Sequence, residues 1–185
     1  MIDRDGALAL LSEKTDTDWL VKHCLAAEAV IRAMARKLGR DEELWGIVGL
    51  LHDLDFDETK ESPEVHGLRT TEWLAESGLP DEALQAIRAH NAESLGLERR
   101  SDLDFALSCS ESITGLIVAA ALVRPDKRLE GVKPKSIRKR MKEKAFARAV
   151  NRDQIRECEK AGVPLEEFIP LALEAMKGIS DDLGL

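Results

Sequence analysis

Apolar residues recur every three or four positions along almost the whole chain, and period-two alternation is nearly absent. That spacing covers one side of an α-helix, whereas a half-buried strand needs strict alternation. No Asn-Gly or Asp-Gly pair lies between two alternating runs, so no hairpin is signalled. Helix punctuation recurs instead. A first helix is expected over about 4–13. A second starts at Asp16 or Thr17 and carries Leu20, Ala27, Val30, Ile31, Met34 and Leu38 on one face before Gly39 ends it. Asp41 caps a third that runs to Leu54, with Glu42 and Glu43 placed to suit the helix dipole. Further helices are expected from Ser62-Pro63 to Gly78 and from Pro80 to Asn91. Ser101 caps "DLDFALSCSESITGLIVAAALV", which is apolar on most faces and therefore central. The segment 124–135 holds two prolines and a glycine and reads as a connection. Helices over 136–149, over 151–161 and from Pro164 to Leu183 complete an all-α chain.

With 185 residues, 44% of them hydrophobic, the chain can bury one sizeable core, which excludes wholesale disorder. The longest apolar run, Leu116 to Val123, falls far short of the roughly 20 residues of a membrane span. The opening "MIDRDGALALLSEK" has acids where a secretion signal has bases. A cytoplasmic protein with no membrane partner is therefore expected. Cys24, Cys109 and Cys158 are odd in number and far apart, so they read as reduced thiols. The net charge of -8 argues against a general nucleic-acid coat. It is uneven: residues 124–148 hold eleven lysines and arginines against three acids, a local +8 that leaves -16 elsewhere. No phosphate-cradling glycine loop and no GxSxG nucleophile turn is present.

The chemistry-bearing residues are the four histidines, His23, His52, His66 and His90. Singly, each is most simply a surface or satisfied core residue. Together they follow the helix pattern. His23 lies beside the apolar face of the second helix, and His52-Asp53 ends the third. His66 falls in the first turn expected at Ser62-Pro63, and His90 at the end of the next helix. Helix ends can converge on one side of a bundle, where helical proteins build metal sites. Imidazole and carboxylate suit zinc, iron, manganese or nickel. Glu111 sits among Leu107, Cys109, Ile113 and Leu116, where a carboxylate costs several kcal/mol unless paired or metal-bound. A wet stripe with Ser108, Ser110 and Ser112 is the plainer account of it.

The order His23, His52-Asp53, then a late carboxylate in "SESITGLI" resembles the HD-domain superfamily of metal-dependent phosphohydrolases. His52 follows His23 by 29 positions, an interval usual in that family. "LWGIVGLLHDLD" looks like its "LLHDIG" helix, and "HGLRTTEWLAESGLPDEALQAIRAHN" like its following helix pair. The resemblance covers residues 16–124 and takes in every histidine of the chain. It implies an HD-domain helical bundle over 1–124, with a C-terminal helical extension over 125–185 packed on it. It further implies one metal held by His23, His52, Asp53 and Glu111. A second would be held by His66 and His90, with Asp53 bridging. The cofactor is then one or two divalent ions per chain (Fe, Mn, Zn, Ni or Co). The implied reaction is hydrolysis of a small phosphate ester or nucleotide, as monoester or diester, by a metal-activated water.

The chain departs from the family pattern at three places. Glu111 stands where aspartate is usual, His90-Asn91 where many two-metal members have His-His, and Asp55-Phe56 where the HDIGK form has glycine and lysine. Asp53, itself a ligand, and Asp57 and Glu58 beyond the ligands are the candidate catalytic carboxylates, with Asp55 as a further candidate acid for the leaving oxygen. A solvated acidic loop is the plainer account of the last three. Arg69, three residues after His66, and Lys135 and Arg138 in the basic segment 124–148 are the candidate phosphate-binding cations. Phe146 is the only ring near those bases, which speaks against specific nucleic-acid binding. Two other functions fit the same ligand set: an HD-type di-iron oxygenase and a non-catalytic metal-binding regulatory module. Nothing in the chain reads a base or a sugar, and nothing signals an oligomeric state.

Overall fold

The helical period resolves into twelve α-helices and one 3-10 turn with no strand, over residues 1–185 of a computed structural model. The N-terminal part comprises α1 (Arg4–Lys14), α2 (Asp18–Leu38), α3 (Glu42–Leu51) and the single turn α4 (Phe56–Thr59). Next come α5 (Leu68–Trp73), α6 (Asp81–His90), α7 (Ala92–Leu95) and α8 (Asp102–Leu122). The chain finishes with α9 (Pro134–Lys142), α10 (Arg152–Arg156), α11 (Leu165–Lys177) and α12 (Ser180–Leu183). Side-chain caps start several of them. Asp41 accepts from the Leu44 N–H at 3.0 Å, and Ser101 and Asp104 form a reciprocal capping box on α8. Each such cap stabilises its helix by about 1 kcal/mol.

Five helix extents differ from the sequence expectation. The third helix, expected to run to Leu54, ends at Leu51, and the last, expected from Pro164 to Leu183, is α11 and α12 separated by a turn at 178–179. The helix expected from Ser62 to Gly78 is confined to α5, and His66 lies in the turn before it. Gly67, at φ +86°, breaks the helical path, and its N–H donates to Asp55 instead. The helix expected over 136–149 ends at Lys142. The turns beyond it wrap the Arg152 guanidinium, which donates to the carbonyls of Phe146, Ala147 and Val150. The helix expected over 151–161 is α10 followed by the 3-10 turn Glu157–Glu159.

α8 runs through the middle and packs against α2, α3, α6, α9, α10 and α11. By length and composition alone it could cross a membrane, yet most of it is buried inside the bundle as a core helix. α2 and α3 cross very closely, because a Cβ on Gly49 would lie 2.7 Å from Ile31 Cγ2 and 3.1 Å from the Ala27 carbonyl oxygen. That close crossing is what lets the end of α3 meet the start of α2. One cluster of 44 buried residues runs from Ala7 to Leu183, so α9 to α12 share the core of the N-terminal helices. Phe168 of α11 is fully buried within it. Truncating it (Phe168→Ala) should destabilise the whole chain by about 3–5 kcal/mol. Denaturant unfolding should then show one transition at lower midpoint, with no separate melting of residues 125–185.

Candidate metal centre

Five of the sequence candidates converge. His23 projects from the second turn of α2, and His52 and Asp53 directly follow α3. His66 comes from the turn before α5, and His90 is the last residue of α6. His52, Asp53 and His90 are buried. Asp53 is the hub. Its Oδ1 lies 3.1 Å from His66 Nε2, 3.3 Å from His90 Nε2 and 3.5 Å from His52 Nε2, while Oδ2 lies 3.5 Å from His23 Nε2. Ligand atoms of His23, His52 and Asp53 all fall within 4.8 Å of one another, as do those of Asp53, His66 and His90.

The outer nitrogen of each ring fixes its direction. His52 Nδ1–H donates to the Gly49 carbonyl at 2.9 Å, and His90 Nδ1–H donates to the Ile87 carbonyl. A carbonyl only accepts, so Nδ1 carries the proton and a neutral ring presents a lone pair at Nε2. His66 Nδ1 donates to the Asp55 carboxylate at 2.7 Å. Thr114 spends its hydroxyl proton on the Glu111 carbonyl at 2.7 Å and therefore accepts from His23 Nδ1 at 3.1 Å. All four rings thus aim Nε2 inward. The Nε2 atoms of His23 and His52 are 3.2 Å apart, and those of His66 and His90 are 2.9 Å apart. Lone pairs at such separations around a carboxylate repel unless a cation lies among them. Imidazoles held from behind by carbonyl, hydroxyl or carboxylate are how proteins present metal ligands, and this donor set fits a first-row divalent ion.

The charges agree with that geometry. Burial pushes the His52 imidazole down to about 3 against the pull of Asp53, so it is neutral. Burial alone would raise the Asp53 carboxyl, but the surrounding imidazoles, His52 foremost, hold it well below its ordinary value. Burial also works to lower His66, yet hydrogen bonds to Asp53 and Asp55 outweigh it and raise the ring from 6.5 to about 9. A proton on His66 is therefore the cation of the metal-free site. A raised folded-state pKa stabilises the fold fully below 6.5, and that contribution is lost as pH climbs through about 9. The chelated protein should lose melting temperature across that window. Metal affinity should rise over the same window, because binding expels the proton. A calorimetric melting series at several pH values, with and without chelator, checks both directions.

Glu111 lies outside both tight groups. Burial raises its carboxyl against the opposing pull of His90 and His23, and its backbone carbonyl accepts from the Thr114 hydroxyl that holds His23. Asp55 is fully buried and serves as an orienting group. Besides holding His66, it accepts the N–H groups of Gly67 at 2.8 Å and Thr70 at 3.1 Å. Gly67 is itself required here, since a Cβ would lie 3.1 Å from the Ile87 carbonyl oxygen and 3.3 Å from His90 Cε1. Asp57 gives its two oxygens to the hydroxyls of Thr15 and Thr17, pinning α4 to the link between α1 and α2. Glu58 and Arg69 are solvent-exposed. Lys135 and Arg138 are not brought to the cluster. They line a separate cavity at the C-terminal end of α8, which begins at Ala120, nine residues and so about 13 Å along the helix from Glu111. Cys24, Cys109 and Cys158 are all buried free thiols.

A cleft of about 510 Å³ opens beside His23, walled by Trp19, Lys22, Val118, Leu122 and Leu183. Trp19 is 57% and Leu122 50% exposed, unusual for such apolar groups. Sequence reasoning passed over Trp19, Lys22 and Thr114. The one available signal was spacing, since Lys22 adjoins His23 and Thr114 lies three residues past Glu111.

A family model for the HD domain matches residues 20–145, past the motif region and through α9. No curated protein and no solved structure matches the chain. The matched span exceeds half of the 185 residues and contains all four inward-facing histidines with Asp53 at their centre. The chain belongs to the HD-domain superfamily of metal-dependent phosphohydrolases.

Proposed function

We propose that the protein hydrolyses small phosphate esters at this centre. The observation that carries the reading is the set of four Nε2 atoms directed at one shared carboxylate. His23, His52 and Asp53 would hold one ion, with Glu111 closing that site, and Asp53, His66 and His90 a second. A divalent metal there supplies Lewis acidity, which activates water and offsets phosphoryl charge. The chain's own residues do the rest. Asp55 keeps His66 in one rotamer and tautomer, and Thr114 does the same for His23. Lys22, which pairs with Asp18 at 2.8 Å in the wall of the His23 cleft, and exposed Arg69, in the first turn of α5, are the proposed phosphate partners. Trp19, Val118 and Leu122 give the cleft an apolar wall, which suits an ester whose organic group is apolar or aromatic. Glu58, exposed and unengaged, is the proposed acid for the leaving oxygen, and Asp57 a positioning residue.

The test is a panel of phosphomonoesters and phosphodiesters, assayed after chelation and after adding back Fe, Mn, Zn, Ni or Co singly. Hydrolysis that returns with metal supports the reading. No turnover with any metal would leave a binding module in its place. Dioxygen consumption by the iron-loaded protein without ester cleavage would point to the oxygenase.

A further inference from the structure

The cavity that holds Lys135 and Arg138 shares no lining residue with the cleft at His23. Val118 and Leu122 of α8 face the cleft, whereas Ala120 and Val123 face this second cavity. It measures about 800 Å³. It is lined by the apolar side chains of Ala120, Val132 and the exposed Val123 and by Arg124, Lys133, Lys135, Arg138, Lys139 and Lys142, with no carboxylate among the lining groups. Two acids nearby neutralise part of this charge. Asp126 pairs with Arg124, and Glu143 pairs with Arg140 and Lys139. Lys133, Lys135, Arg138 and Lys142 are left without an acidic partner.

Those four are also placed against local physics. Ile137 and Met141 anchor α9 in the core. Lys135, Arg138 and Lys142 then fall three and four residues apart on the face turned to the cavity, where like charges repel. Lys133 is the N-cap of α9 and Lys135 is in its first turn, which holds no acid. Cations at a helix N-terminus oppose the dipole. An anion seated in the cavity relieves both conflicts.

We infer that this cavity is a second ligand site, separate from the metal centre, for a small molecule bearing two or more phosphates. A concave volume of this size suits a small ligand. A single-stranded nucleic acid would need aromatic rings among the bases for stacking. The nearest ring, Phe146, is already covered by the Arg140 guanidinium, 4.1 Å from its centroid. The site does not depend on the proposed hydrolysis.

Titration calorimetry with inorganic tripolyphosphate tests it, on the full chain in chelator and on the Asp53→Ala variant. Binding is expected in both, at least ten-fold tighter than orthophosphate. The double variant Lys135→Glu/Arg138→Glu should bind at least ten-fold more weakly, with circular dichroism unchanged, because both positions lie outside the core. Equal affinity of the double variant overturns the inference. So does binding that requires metal or Asp53, which would put the anion at the metal centre. Tighter binding of a single-stranded oligonucleotide than of tripolyphosphate also overturns it, by making the basic face a nucleic-acid surface.

Discussion

Asp53→Ala is expected to abolish hydrolysis, by at least about 1,000-fold, while the protein stays folded. Asp53 is the one residue common to both ligand groups, and its two oxygens face all four imidazoles. Removing it leaves each group two nitrogens and takes away their shared carboxylate, with only Glu111 left to offer an anionic ligand, so no substitution at a single histidine should match its effect. The same variant should also lose most of the thermal stabilisation by added metal, since stabilisation by a ligand scales with its affinity for the fold. Phosphoester assays and calorimetric melting with added metal measure the two losses. Retained hydrolysis would place the chemistry elsewhere.

Gly67→Val should separate the two groups. At φ +86° a β-branched residue is strained by about 1–2 kcal/mol, and its Cβ would press on the Ile87 carbonyl and the His90 ring. The turn carrying His66 must then move away from α6, and a misplacement of about 1 Å is enough to cost roughly 100-fold in function. The group made by His66 and His90 should fail, while His23, His52 and Asp53, held by α2 and α3, persist. Titration with cobalt, followed by its visible absorption, should show one of two binding phases disappear. Two intact phases would mean that the Gly67 turn does not set the position of His66.

The histidines and Asp53 were legible in the sequence because metal ligation uses few residue types, and the helix pattern placed His52, Asp53, His66 and His90 near helix ends and His23 beside an apolar face. The long elements α2, α6 and α8 were legible too, since their punctuation is written in local residues: Gly39 after α2, Pro80 before α6 and the Ser101–Asp104 box on α8. What failed depended on contacts between distant residues. Asp55 looked like one acid among several; its role arises only because the 62–67 turn folds back onto it. The end of α9 at Lys142 is set by Arg152, ten residues on, gathering loop carbonyls. Lys135 and Arg138 read as neighbours of the centre because a helical period gives a face, and not the side of α8 on which that face docks.

The most direct measurement is the metal content of protein purified without oxygen at neutral pH, determined by mass spectrometry of the dissolved metal. Two groups sharing Asp53 predict up to two first-row divalent ions per chain in the native protein and none in Asp53→Ala. Native protein that holds no metal and takes none up on titration would contradict the account.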